Sequence, residues 1–202
     1  DLEPIDYIIC DNLADNDGFG TFNLSTQNEE VLDGQDATNF TVTYYDNEID
    51  AEAGTNALPN SYDNTSNSQV IYTRVDNDTA VNSQCYAVAS LTLIVNLLPE
   101  FDLEDTYLGC VNVNGSELVD PVVMDFGLDP ALYSFEWFDP AGDLVGIEVT
   151  YTPLVEGTFT AVATNLNTGC QNSDTALVDP SSPPEVSAVV TTEFFADMHT
   201  IE

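Results

Sequence analysis

The sequence predicts an all-β protein made of two β-sandwich domains and the first strands of a third. Three observations carry that prediction. Helical periodicity is nearly absent, short alternating runs rich in Val, Thr, Tyr and Phe recur between clusters of Asn, Asp, Gly and Pro, and two proline-marked junctions divide the chain. With 202 residues and 43% hydrophobic content, there is apolar material for one or two ordinary cores and too much for a disordered polymer.

In the first half, strands are expected near Phe19 to Leu24, Phe40 to Tyr45, Gln69 to Asp76 and Cys85 to Asn96. In the second half they fall near Val122 to Asp125, Tyr133 to Phe138, Glu148 to Thr152, Gly157 to Asn165 and Asp174 to Val178. A helical turn is expected from Asn47 to Gly54, with Asp46 capping its first free amides and Gly54 closing it. Gln27 to Leu32 is expected to form a second short turn.

The junctions are Asn96-Leu97-Leu98-Pro99 and Asp179-Pro180-Ser181-Ser182-Pro183-Pro184, where proline lacks an amide donor and stops the ladder. They set domains at 1–99, 100–183 and 184–202, the last a truncated repeat with strand segments at Glu185 to Thr192 and Phe194 to Glu202. The first two domains share one scheme. Tyr7-Ile8-Ile9-Cys10 is matched by Tyr107-Leu108-Gly109-Cys110, and each later cysteine precedes a strand that runs into proline. The chain starts and stops inside such a pattern and is read as a piece of something longer.

Charge narrows the function. There are 36 acidic residues against one basic side chain, Arg74, and one histidine, His199, for a net charge of -35. Such a surface repels nucleic acid and anionic lipid, and it calls for high ionic strength or bound divalent cations. No apolar run is long enough to span a bilayer. The four cysteines show none of the spacings of a zinc ribbon or redox motif, so they are read as disulfides formed outside the cytoplasm; buried free thiols are the alternative. Of three possible connectivities, pairing within each half, Cys10 with Cys85 and Cys110 with Cys170, keeps each bridge inside one core. Trp137 lies between the second pair, echoing the tryptophan that packs on the inter-sheet disulfide of immunoglobulin domains. Alternation places Tyr133 and Phe135 on its face.

Asp11, Asp15 and Asp17, followed by Gly18, suit the oxygen ligation of calcium; the alternative is a solvated turn in which Asp-Gly serves a positive φ. Asp46, Asp50 and Glu52, or Asp76 and Asp78, are weaker sets. No catalytic residue is assigned. His199 has no serine or cysteine nucleophile in a recognisable frame, and no carboxylate pair stands out.

The runs Asp15-Asn16-Asp17-Gly18-Phe19-Gly20-Thr21-Phe22, Phe40-Thr41-Val42-Thr43-Tyr44-Tyr45, Asp50-Ala51-Glu52-Ala53-Gly54 and Ile71-Tyr72-Thr73-Arg74-Val75 resemble repeats of flavobacterial surface adhesins. The second half, through Gly157-Thr158-Phe159-Thr160-Ala161 and Thr168-Gly169-Cys170, is similar to their other repeat type. These are very large proteins associated with gliding motility and exported by type IX secretion. The resemblance implies tandem immunoglobulin-like or PKD-like sandwiches at the cell surface, not an enzyme, in a stalk or filament. The implied partners are neighbouring repeats, surface polysaccharide or other copies of the chain. It also implies O-glycans at Asp-Ser/Thr before a small residue, which points to Thr79 and Thr175. The rival readings are a stalk of a secreted polysaccharide-degrading enzyme and a carbohydrate-binding module. For the second, burial of Tyr44, Tyr45, Trp137 and Tyr151 would count against it.

Overall fold

A computed structural model describes residues 5–13, 15–79, 85–111, 118–120 and 122–181. The expected third domain, 184–202 with His199, lies outside the described residues. The chain divides into two compact units: Asp1–Glu100 with Thr164–Asn172, and Phe101–Ala163 with the chain from Ser173.

The first unit runs β1 (Ile5–Cys10), β2 (Thr21–Asn23), a 3-10 turn (Leu24–Gln27), α1 (Asn28–Leu32), a 3-10 turn (Ala37–Asn39), β3 (Phe40–Tyr45), α2 (Glu48–Ala53), β4 (Ser61–Asp63), β5 (Gln69–Asn77) and β6 (Tyr86–Asn96). Its main sheet has the order β1-β6-β5-β3, and β2 pairs with β4 in a separate ribbon. β5 is antiparallel to both neighbours, but β1 runs parallel to β6. Alternation along β6 turns Leu91, Leu93 and Val95 inward, where they meet Phe22, Leu24, Tyr44 and Ile71. α2 is capped by Asn47, whose side chain accepts from the Asp50 amide, and Gly54 closes it at φ 65. The expected cap Asp46 instead accepts from Gln69 Nε2 at 3.0 Å.

Arg74 is consumed inside this unit. It grips the Asp76 carboxylate through Nε and Nη2, donates from Nη1 to the carbonyls of Ala51 and Glu52 at the end of α2, and lies 3.7 Å from the centre of the Tyr86 ring. A guanidinium at the negative end of a helix is favourably placed. The Tyr86 hydroxyl donates to Glu52, which raises its pKa. The lone basic side chain therefore fastens α2 to the sheet.

The second unit contains β7 (Thr106–Val111), β8 (Leu118–Asp120), β9 (Met124–Asp125), β10 (Tyr133–Phe138), β11 (Leu144–Gly146), β12 (Thr150–Tyr151), β13 (Gly157–Asn165) and β14 (Gln171–Ser181). The main sheet order is β11-β10-β13-β14-β7-β8, with β9 and β12 forming a ribbon. Again the first strand runs parallel to the last, β7 along β14. The core gathers Phe126, Phe135, Trp137, Phe159 and Met124. Trp137 is fully buried and donates from Nε1 to the Glu148 carbonyl at 2.8 Å. Its ring packs on Phe126 and Tyr151, not on a disulfide as the sequence suggested.

β3, β10 and β13 keep their expected bounds. The two Tyr-x-x-Cys runs, noticed in the sequence as marks of a repeat, are six-residue strands.

Candidate functional site

Four cysteines and one acidic loop are the chemistry-bearing groups the sequence singles out. Cys10 ends β1, and Cys85 stands just before β6. Because β1 runs parallel to β6 with Cys10 opposite Asn96, the two cysteines lie at opposite ends of an 11-residue strand. At a strand rise of ~3.3 Å per residue that is about 36 Å. A disulfide needs Cα atoms within about 7 Å. The expected Cys10–Cys85 pair therefore cannot form. The expected Cys110–Cys170 pair fails in the same way, since Cys110 lies opposite Ser181, at the far end of the 11-residue β14 that Cys170 precedes.

The disulfide joins Cys10 to Cys170, with Cα atoms 5.5 Å apart and a sequence separation of 160. Both sulfurs belong to the first unit, because the turn between β13 and β14 is counted with it. That turn is closed by its own bonds. The Asn165 amide donates to the Cys170 carbonyl at 2.9 Å, and Asn165 Oδ1 accepts from the Asn167 amide. Asn172 Nδ2 donates to the Pro99 carbonyl at 2.9 Å, and the Cys170 sulfur lies 3.9 Å from the Asn96 carbonyl oxygen. Cys170 is 1% exposed. Cys85 and Cys110 are exposed free thiols.

The loop after Cys10 is held largely by side-chain amides and two carboxylates acting as surrogate backbone. Asp11 is buried, accepting from the Leu13 amide on one oxygen and from the Gly18 amide on the other. Asn12 exchanges a pair of bonds with Thr21, Asn16 with Leu98 and Asn67 with Val95, each side chain replacing a missing ladder partner. Asn64 bridges the Gly18 carbonyl and the Gly20 amide. Gly18 sits at φ +84, where a Cβ would come within 3.0 Å of Asn67 Nδ2. The positive φ favours glycine, and any side chain here would also press on Asn67. Asp17 accepts from the Phe19 amide, and both Asp15 and Asp17 face solvent. Among the described residues no three His, Cys, Asp or Glu side chains gather as metal ligands. The asparagines that organise this loop were not singled out in the sequence, where only the Asp-Gly signal marked a turn.

Thr79 is exposed and its hydroxyl donates to Asn77 Oδ1 at 2.7 Å; Thr175 is exposed on β14. Among the described residues no helix is long and apolar enough to cross a membrane.

The paired sheets and the buried bridge define a disulfide-bonded immunoglobulin-like module. Residues 6–99 match the model of the FIDD family, the Flavobacterium inter-domain disulphide bond domain. No curated protein matches the chain. Among solved structures, the chain is similar to the titin Ig tandem domains A164-A165, with 13% identity, 71% of this chain and 83% of that chain covered, and a TM-score of 0.31. It is similar also to mouse cadherin-23 EC22-24, with 12% identity, 70% and 53% covered, TM-score 0.25, and to Drosophila N-cadherin EC1-4, with 10% identity, 70% and 42% covered, TM-score 0.28. At such TM-scores the fold rests on the strand pairing itself. The family that the first unit matches is named for a bond and not for a reaction.

Proposed function

We propose that this chain is a load-bearing segment of a secreted bacterial surface adhesin, a stalk of tandem immunoglobulin-like repeats serving attachment or gliding motility. The observation that carries this reading is the Cys10–Cys170 bond. Tension entering before Cys10 passes through the bridge to Cys170, so the residues between them sit outside the load path. The match of residues 6–99 to a Flavobacterium disulfide domain supports the bacterial surface, and a disulfide belongs to an oxidising compartment outside the cytoplasm. Type IX export fits that setting.

The carbohydrate-binding reading loses support because Tyr44, Tyr45 and Trp137 are buried and Tyr151 packs against the second core. Exposed Thr79 and Thr175 remain open to O-glycans, which intact mass of the secreted protein reads as hexose increments on each. The calcium expectation is decided by a melt with and without chelator. Because Asp11 already satisfies both oxygens with backbone amides, an unchanged midpoint is expected.

Stretching single molecules tests the load path. The 160-residue separation, at ~3.6 Å per residue, hides roughly 58 nm of contour length until the bridge is reduced. Equal extension before and after reduction contradicts the proposal. Deleting the segment from the native gene is expected to lower surface attachment while leaving secretion intact, and normal attachment of the deletion strain removes the adhesive role.

A further inference from the structure

β3 lies at one edge of its sheet, and no strand among the described residues pairs with its far side. In an antiparallel ladder the N–H and C=O of one residue point to the same side, and that side alternates along the strand. The Asn39 carbonyl accepts from the Asp78 amide at 2.9 Å, so Thr41, Thr43 and Tyr45 face β5 while Phe40, Val42 and Tyr44 face away from it. The Tyr44 carbonyl follows that sense, accepting from the Leu58 amide at 2.8 Å in the loop before β4. The Phe40 carbonyl, both Val42 groups and the Tyr44 amide therefore form a row of ladder positions directed outward. Sheet edges are ordinarily blunted by proline, lysine, a bulge or brevity. Phe40–Tyr45 holds neither proline nor lysine, and its register with β5 is unbroken over six residues. By contrast β8 and β11, the edges of the second unit's main sheet, are three residues long and adjoin register shifts.

The two faces of this edge differ. On the inner face Phe40 and Val42 are half-buried against Val31, Leu32 and Val75. Thr41 and Thr43 stand on the outer face, where the Thr41 hydroxyl donates to Asp78 at 2.8 Å. Exposed Asp36 and Asp46 flank the strand at its two ends. Arg74, the lone lysine or arginine of the chain, is already held by Asp76 and the end of α2, so these carboxylates find no such side chain within the molecule. A second copy would bring another charge of -35 to the same place.

We infer that the β3 edge is a strand-docking site for an extended, cationic segment of a partner protein, with apolar residues on one face and Lys or Arg on the other. The segment extends the four-stranded sheet through main-chain bonds to Phe40, Val42 and Tyr44. Its apolar side chains continue the layer of Phe40 and Val42. Its basic ones lie on the face of Thr41, Thr43 and Asp78, between the flanking carboxylates. The main chain supplies affinity, and the alternation with its charge supplies the choice of partner. This assigns the chain a partner chemistry, and it holds whether or not the chain is a stalk.

The test titrates the full chain, at physiological ionic strength, with a short capped peptide alternating Lys and Val, and follows amide exchange by NMR. Binding is expected, with the Val42 and Tyr44 amides gaining protection. Val42→Pro removes an outward N–H that the β5 ladder does not use, and it should weaken binding about tenfold, as loss of a main-chain bond and its neighbours implies. Peptide controls leave the protein untouched. N-methylation of the edge-facing amides, grouping the same Lys and Val into two blocks, or replacing Lys by Thr should each weaken binding to a similar degree. No binding of the alternating peptide, equal binding of the N-methylated or grouped peptide, or equal binding of the Thr peptide overturns the inference. So does protection of Val42 and Tyr44 in the chain alone at high concentration, which would make a second copy the occupant.

Discussion

The two units share a strand-pairing scheme and fill it differently. In each, the first strand runs parallel to an 11-residue last strand, which pairs with a nine-residue strand before it. The first unit surrounds its core with asparagine clamps and one guanidinium, whereas the second packs aromatic rings about Trp137. The scheme fixes where the cysteines stand; the packing does not. For that reason the cysteine positions correspond between the units even though the cores do not.

Substitutions that touch one unit sharpen the contrast. The largest effect is expected from Cys170→Ser, because the 160-residue separation of the bridge corresponds on chain-entropy grounds to about 5 kcal/mol. Denaturant melts should show the loss in the first unit, which holds both sulfurs. Trp137→Ala should cost the second unit about 4 kcal/mol by emptying the centre of its aromatic cluster. The first unit's transition should stay where it was. Arg74→Met reverses the pattern. Loss of the Asp76 pair and of the bonds to Ala51 and Glu52 should cost the first unit about 2 kcal/mol, with the helical signal of α2 falling first.

Much of the fold is legible in the sequence. Phe40 to Tyr45 and Tyr133 to Phe138 show clean alternation bounded by polar turns, and both emerge as strands at those limits. Strand direction is another matter. Alternation is the same whichever way a neighbour runs, so nothing near Cys10 or Cys85 reveals that their strands are parallel and that a full strand length separates them. The aspartates of the acidic loop were visible and bond amides close by, but Asn64, which holds Gly18 and Gly20, reaches the loop from far along the chain and nothing in the sequence ties it there.

Smaller effects follow. Thr73 is buried and its hydroxyl has no partner, so Thr73→Val should raise the first unit's stability by about 1 kcal/mol, measured by the urea midpoint. Asp50 accepts from Asn47 and Asn56, which hold its carboxyl below the usual value. Its contribution to the α2 cap is therefore complete above the unfolded pKa of about 3.9 and fades as pH falls through the lower folded value. Carboxyl NMR titration should place Asp50 below 3.8, and Asn47→Ala should raise it.

Which sulfurs are joined decides the load path. Alkylating the monomeric chain without reduction, cleaving at Asp and aromatic residues and sequencing the fragments by mass spectrometry settles it directly. A linked Cys10–Cys170 peptide with alkylated Cys85 and Cys110 is the expected result. Linked Cys10–Cys85 and Cys110–Cys170 peptides would contradict the parallel register and the load path together.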